Sequence, residues 1–293
     1  MSTFELVQVT DTHLSGTRAY FLDNWEVFVR EMENDPPDLI INTGDVSLRG
    51  SEGAEDLAFA KAEMERLPSK VLVLPGNHDI GDTPPDPRLD RPIDDARRQR
   101  WLKHFGDDKW VEDFAGWRLY GLNAQLLDSG LGAEAEQLAW FERALQEGEG
   151  RPGALFLHKP LYYKDPDDEV KRLACLYPTG RRVLMELCRR YAIRFVASGH
   201  LHCYRTTRHQ GIRMVWAPAT AFINTRRKKK RPPVRLKRCV GYLRYTFEGQ
   251  KVRHALIEPD LFINHDTRNI SKSLGSTIFL PPYPQRQWKK AAQ

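Results

Sequence analysis

Short apolar runs alternate with amphipathic stretches along the first two thirds of the chain. Residues 4–10, 39–42, 71–74, 117–122, 154–157 and 193–198 are compact runs rich in Val, Ile, Leu and Phe, the signature of buried strands. Helical spacing fills the intervals. Phe21, Trp25, Phe28 and Met32 share one helix face, which Pro36 and Pro37 terminate. Leu57, Ala60, Met64 and Leu67 line a second face, closed by Pro68. A third helix starts at Asp94 and carries Trp101 and Phe105, a fourth carries Leu138, Phe141 and Leu145, and a fifth carries Val183, Leu184, Leu187 and Tyr191. Past residue 203 the helices stop. Residues 204–208, 212–216, 241–247 and 252–257 read as strands, with Gly249-Gln250 as a hairpin turn. Residues 81–92 and 161–178 read as irregular loops. The pattern predicts an α/β domain over residues 1–264 and a polar tail over 265–293.

Composition agrees with a folded domain. Hydrophobic residues make up 41% of the 293-residue chain, enough for a sizeable core. The four cysteines show no C-x-x-C spacing, which argues against a thiolate zinc site and a disulfide framework. No apolar run approaches the ~18 residues of a membrane span, and the N-terminus lacks a basic leader, so the expected location is the cytoplasm.

Charge adds one feature. The nine basic residues Arg226, Arg227, Lys228, Lys229, Lys230, Arg231, Arg235, Lys237 and Arg238 outnumber the net charge of +6, so the remainder of the chain is acidic. This segment, about 225–239, reads as a solvated mobile loop inserted in the β-rich end. Polyanion contact is the alternative, with nucleic-acid phosphates or an acidic lipid surface. It has no interleaved aromatics for base stacking.

The candidate chemistry sits where the strands end. Five segments share one order of apolar strand, short turn, then metal-competent side chains: Asp11 with His13; Asp45; Asn77 with His78; His158; and His200 with His202. Taken singly, Asp11-x-His13, Gly44-Asp45 and Gly76-Asn77-His78-Asp79 read as turn chemistry, and only His200-x-His202 suggests a metal. Together the five segments hold five of the chain's nine histidines. In open α/β sheets functional groups gather at the carboxyl ends of strands, so these segments can reach one rim. His200 and His202, two apart at a strand end, are expected to point the same way through strand alternation. The donors are imidazoles, carboxylates and an amide, without thiolate, which suits Mn, Fe, Zn or Co. Seven or eight donors exceed the needs of one ion and suit two ions about 3.5–4 Å apart that share a carboxylate.

Asp11-x-His13, Gly44-Asp45-(x4)-Gly50, Gly76-Asn77-His78-Asp79, His158 and Gly199-His200-x-His202 together resemble the calcineurin-like metallophosphoesterase superfamily. Thr10-Asp11-Thr12-His13-Leu14, Gln137-Leu138-Ala139-Trp140 and Ala217-Pro218-Ala219-Thr220-Ala221 are similar to its class III cyclic-nucleotide and glycerophosphodiester phosphodiesterases. The resemblance implies a four-layer αββα sandwich of two mixed sheets flanked by helices. It implies that Asp11, His13, Asp45 and His202 hold one divalent or trivalent ion, and that Asp45, Asn77, His158 and His200 hold a second, with Asp45 bridging. His78 would protonate the leaving group as a small phosphodiester is hydrolysed by water activated between the ions. A nuclease, a phosphomonoesterase and a non-catalytic metal-binding scaffold are the alternatives. Two positions depart from the family pattern. Lys159 stands where relatives often carry a second histidine, and either supplies charge to phosphate or snorkels to solvent. Arg49 lies in a block that is commonly more acidic and is a second candidate for binding an anionic substrate. Asp79 either orients His78 or holds a neighbouring turn.

Overall fold

The computed structural model describes residues 3–83, 91–148, 150–225 and 235–266. The central strands are the apolar runs, and they pair as buried parallel ladders. In the first sheet β1 (Phe4–Val9), β2 (Leu39–Asn42) and β3 (Lys70–Val73) are parallel, and the antiparallel hairpin β10 (Tyr242–Glu248) and β11 (Lys251–Ile257) extends the other edge. Glu248 pairs with Lys251, so the hairpin closes through the expected Gly249-Gln250 turn, with Gly249 at φ 56°.

The second sheet runs β4-β5-β6-β7-β9-β8. Here β5 (Trp117–Leu122), β6 (Gly153–Leu157), β7 (Ile193–Ser198) and β9 (Ile212–Trp216) are parallel. Two antiparallel edges flank them, β4 (Trp110–Phe114) and β8 (Arg205–His209). Every residue of β2 and β6 is buried, as central strands covered on both faces require.

Three apolar layers hold four structural layers together. Leu6, Leu39, Ile41, Leu243 and Phe247 of the first sheet pack on Trp117, Leu119, Phe156, Phe195 and Val215 of the second. The outer face of the first sheet takes α1 (Leu22–Asn34) and α2 (Glu55–Met64): Trp25, Phe28, Met32, Leu57 and Ala60 meet Val7, Val9 and Ile40. The outer face of the second takes α5 (Gly132–Glu147) and α6 (Pro178–Arg190) through Phe141, Leu145, Leu184 and Cys188. The αββα sandwich of two mixed sheets is therefore present as expected. No helix among the described residues is long and apolar enough to cross a membrane.

Two elements escape the hydrophobic pattern. Strand β4 is half-buried and carries Glu112 and an exposed Asp113, so its period is weak. The four-residue helix α3 (Asn77–Ile80) is too short for any periodicity. A further helix, α4 (Asp95–Phe105), opens where Asp94 caps it by accepting the Arg97 N–H over 2.7 Å. Positions 226–234, which hold six of the nine basic residues, and most of the tail, 267–293, lie outside the described residues. Of the remaining basic positions, Lys237 is ion-paired with Glu258.

Phe156 is wholly buried between the sheets, with ring centroids 5.7 Å from Phe195 and 5.9 Å from Trp110. Phe156→Ala is expected to cost about 3–5 kcal/mol of unfolding free energy. Denaturant titration reads this as a lowered midpoint with an unchanged slope.

Candidate metal centre

The parallel strands of both sheets end on one rim, and their loops are stitched together there. Asp11 N donates to Gly44 O over 2.9 Å, His13 N to Asp45 O over 3.0 Å, and Leu14 N to Val46 O over 2.8 Å, so the loops after β1 and β2 run as a pair. Gly199 N donates to His158 O over 2.9 Å, joining two loops of the second sheet, and Thr220 N donates to Thr10 O over 3.1 Å, which ties the second sheet to the first.

His200 and His202 do not converge by strand alternation. Both are in the left-handed region, at φ 69° and 50°, as are Asp11 at 51°, His13 at 45° and Asp45 at 51°. Each such residue costs on the order of 1–3 kcal/mol and persists only where its surroundings hold it, a pattern typical of functional sites. The backbones also approach closely. A Cβ on Gly76 would collide with the Asp45 carboxylate, and one on Gly199 with Thr10 and Asp11. These glycines are required for lack of bulk.

Backbone carbonyls fix three imidazoles. His158 Nδ1 lies 2.9 Å from Thr43 O, His202 Nδ1 2.8 Å from Phe222 O, and His200 Nε2 2.8 Å from Leu173 O. A carbonyl only accepts, so those nitrogens carry the protons and the opposite nitrogens turn lone pairs inward. Two donor groups result. In one, His202 Nε2 is 3.1 Å from Asp11 Oδ1 and 3.4 Å from His13 Nε2, which is 3.9 Å from Asp45 Oδ2. In the other, His158 Nε2 is 3.4 Å from Asp45 Oδ1, 3.2 Å from Asn77 Oδ1 and 3.2 Å from His200 Nδ1. Asp45 offers one oxygen to each.

This donor set fits cations. Inward lone pairs face each other at 3.2 Å, and the buried Asp11 Oδ1 finds no hydrogen bond of acceptable geometry. A proton or a cation relieves both conditions. The protonation balance shows the same pull. Burial raises the Asp45 carboxyl, but His158 and His78 outweigh it and hold it well below its ordinary range. Burial lowers His158, but Asp45 and Asp11 reverse this and lift it to about 9. Burial and the adjacent His158 push His200 down to about 4.

His78 stands apart. Its Nδ1 is 2.8 Å from Leu48 O, its backbone N–H donates to Asp45 Oδ1 over 2.7 Å, and its half-buried ring stands edge-on to His13 at 4.5 Å. It is near enough to form a third candidate metal group with His13 and Asp45. Asp79 does not orient it. The Asp79 carboxylate accepts from Val46 N, Ser47 N, Ser47 Oγ and Gly76 N at 2.6–3.1 Å and so holds the neighbouring turns.

Lys159 neither snorkels nor faces open solvent. It is 1% exposed and its ammonium is paired with the Asp82 carboxylate, which accounts for a long cation in a buried loop. Arg49 is ion-paired with Glu52. Asn123 caps the turn after β5, accepting from Gln125 N over 3.0 Å. His104, His209, His254 and His265 belong to none of the candidate metal groups among the described residues. Phe222 was not foreseen. Its ring lies 4.2 Å from His202 and 4.9 Å from His13, and its carbonyl sets the His202 tautomer. Its place just after Ala217-Pro218-Ala219-Thr220-Ala221 is the only signal that marks it.

Clustered N and O donors at the strand ends of a two-sheet αββα sandwich define the class of metallophosphoesterases. Residues 4–204 match the family described as calcineurin-like phosphoesterase, and the chain belongs to that family. A probable glycerophosphodiester phosphodiesterase of Arcobacter nitrofigilis is 28% identical over 214 residues, covering 69% of this chain and 73% of that protein. A probable cyclic nucleotide phosphodiesterase of Xenorhabdus bovienii is 23% identical, covering 74% and 86%. The solved dimetal phosphatase of Danio rerio superposes with a TM-score of 0.60 at 12% identity, over 87% of this chain and 97% of that one, which is a likeness of fold.

The protonation balance predicts a pH response in chelator-treated protein. The folded pKa of His158, about 9, lies above the ordinary histidine value of 6.5 expected on unfolding. Its stabilising contribution is therefore complete below about pH 6.5 and lost as pH rises through about 9. His202 is raised too, first opposed by burial and then lifted by Asp11, and adds to the same slope. His13 and His200 are lowered and act only on the acid side. The melting temperature should fall between about pH 6.5 and 9, and His158→Gln should flatten that decline.

Proposed function

We propose that the protein is a dinuclear metal-dependent phosphodiesterase that hydrolyses a small phosphodiester. The observation that carries this reading is Asp45, whose two carboxylate oxygens face two separate donor groups. Asp11, His13, Asp45 and His202 would hold one ion, and Asp45, Asn77, His158 and His200 the other. The all-N/O set suits Mn, Fe, Zn or Co. When bound, two such cations supply Lewis acidity that brings a water pKa towards neutrality and neutralises phosphoryl charge.

The chain's own residues supply the rest. His158, His200 and His202 are locked by carbonyls, so no rotation accompanies loading of the site. His78 is the proton donor to the leaving oxygen. Leu48 O accepts its Nδ1–H, so in the imidazolium form Nε2 carries the second proton and is the atom that delivers it, leaving the neutral Nδ1–H imidazole. Asp79 acts behind it by holding both strand-end turns. A diester is preferred because both sequence relatives are named as probable phosphodiesterases. One is named for a glycerophosphodiester and the other for a cyclic nucleotide.

Mn²⁺-loaded protein should hydrolyse bis-p-nitrophenyl phosphate faster than p-nitrophenyl phosphate, and chelator should abolish both activities. A reversed preference would make it a monoesterase. No metal-dependent turnover of either ester would favour the non-catalytic scaffold. His78→Ala should slow diester turnover about 10²–10⁴-fold while metal content measured by elemental analysis stays at the wild-type level. Loss of metal in that variant would place His78 among the ligands.

A further inference from the structure

The Lys159–Asp82 pair is buried next to the proposed metal site, yet none of the roles above uses it. The Lys159 ammonium is paired with Asp82 Oδ1 and lies 3.5 Å from Thr83 Oγ1. Asp82 Oδ1 also accepts the Thr83 N–H over 2.8 Å. Gln125, wholly buried in the turn after β5, lies beside it. With its amide nitrogen towards Asp82, Gln125 donates to Asp82 Oδ1 over 3.1 Å and accepts from Asn77 N over 3.2 Å. That orientation satisfies both ends of the amide, whereas the reverse opposes acceptor to acceptor and donor to donor.

The contacts close a ring. Lys159 is peptide-bonded to His158, Asp82 links Lys159 to Gln125, Gln125 holds the Asn77 backbone, and Asn77 Oδ1 returns to within 3.2 Å of His158 Nε2. The ring spans loops from both sheets, since Asn77 and Asp82 follow β3, Gln125 follows β5 and His158 follows β6. It passes through two members of one donor group and none of Asp11, His13 or His202. We infer that Lys159 is a positioning residue for the second ion alone, setting the separation of Asn77 from His158 through Asp82 and Gln125.

The physical reason lies in the weakness of an amide ligand. Asn77 brings no charge, so its contribution depends on where its backbone is held. A buried ion pair contributes little net stability but fixes geometry well. Removing the ammonium would strand the Asp82 carboxylate and leave it to protonate or turn away. Gln125 would then lose the partner that fixes its orientation, and the Asn77 N–H its acceptor.

The inference rests on the dinuclear reading, and the test separates the two. Lys159→Met alone would strand the Asp82 charge in a buried site, so two other variants are used in the full-length protein. One is Lys159→Met with Asp82→Leu, an apolar replacement of the pair. The other is Gln125→Leu, which leaves the pair and cuts the link to Asn77. Chelator-treated wild type and variants, each checked for cooperative unfolding, are titrated with Mn²⁺ by calorimetry and electron paramagnetic resonance. Wild type should take up two ions with a spin-coupled signal. Both variants should bind the first ion within about threefold of wild type, bind the second at least tenfold more weakly, and show the uncoupled signal of a single Mn²⁺. Two ions at wild-type affinity in the variants would overturn the inference alone, as would equal weakening of both ions. Fewer than two ions in wild type would overturn the dinuclear reading and the inference with it.

Discussion

The structure turns on one buried carboxylate that faces two ways. Asp45 is 2% exposed, sits at φ 51°, and offers each oxygen to a different group of imidazoles. A carboxylate in such a place needs cationic or hydrogen-bonding partners on both sides. The His78 backbone N–H supplies one at 2.7 Å, and the imidazoles around Asp45 account for its depressed pKa against the cost of burial. Move Asp45 and both donor groups lose their common member.

Much of the surrounding chain can be understood as support for that placement. Gly76 has no side chain because the Asp45 carboxylate fills the space. Asp79 gathers the Val46, Ser47 and Gly76 amides and so fixes the turn on either side of Asp45. Burial, followed by the nearby Asp45 charge, raises the Asp79 carboxyl to about 6. Five left-handed residues on one rim are tolerable because paired loop backbones and two fully buried central strands hold them. The sandwich core and the site are coupled in this sense: the sheets supply the rigidity that the strained loops need.

The sequence revealed the parts that depend on side-chain identity. Apolar runs marked the central strands, and Asp, Asn and His after each run marked the donors. Parts that depend on backbone were hidden. Thr43, Leu173 and Phe222 orient three imidazoles with carbonyls, which every residue possesses. The convergence of His200 and His202 was anticipated for the wrong reason, since left-handed turns and not an extended strand aim them. Lys159 was visible as a departure, but its partner Asp82 lies 77 positions away with no motif linking the two. Strand β4 has little apolar signal because the consecutive Glu112 and Asp113 put a polar residue on each of its faces.

The central claim is that Asp45 is shared between two ions. Anomalous diffraction from crystals of the Mn²⁺-loaded protein tests it most directly. The account predicts two anomalous peaks flanking Asp45, one among Asp11, His13 and His202 and the other among Asn77, His158 and His200. A single peak, or a pair that does not share the Asp45 carboxylate, would contradict it.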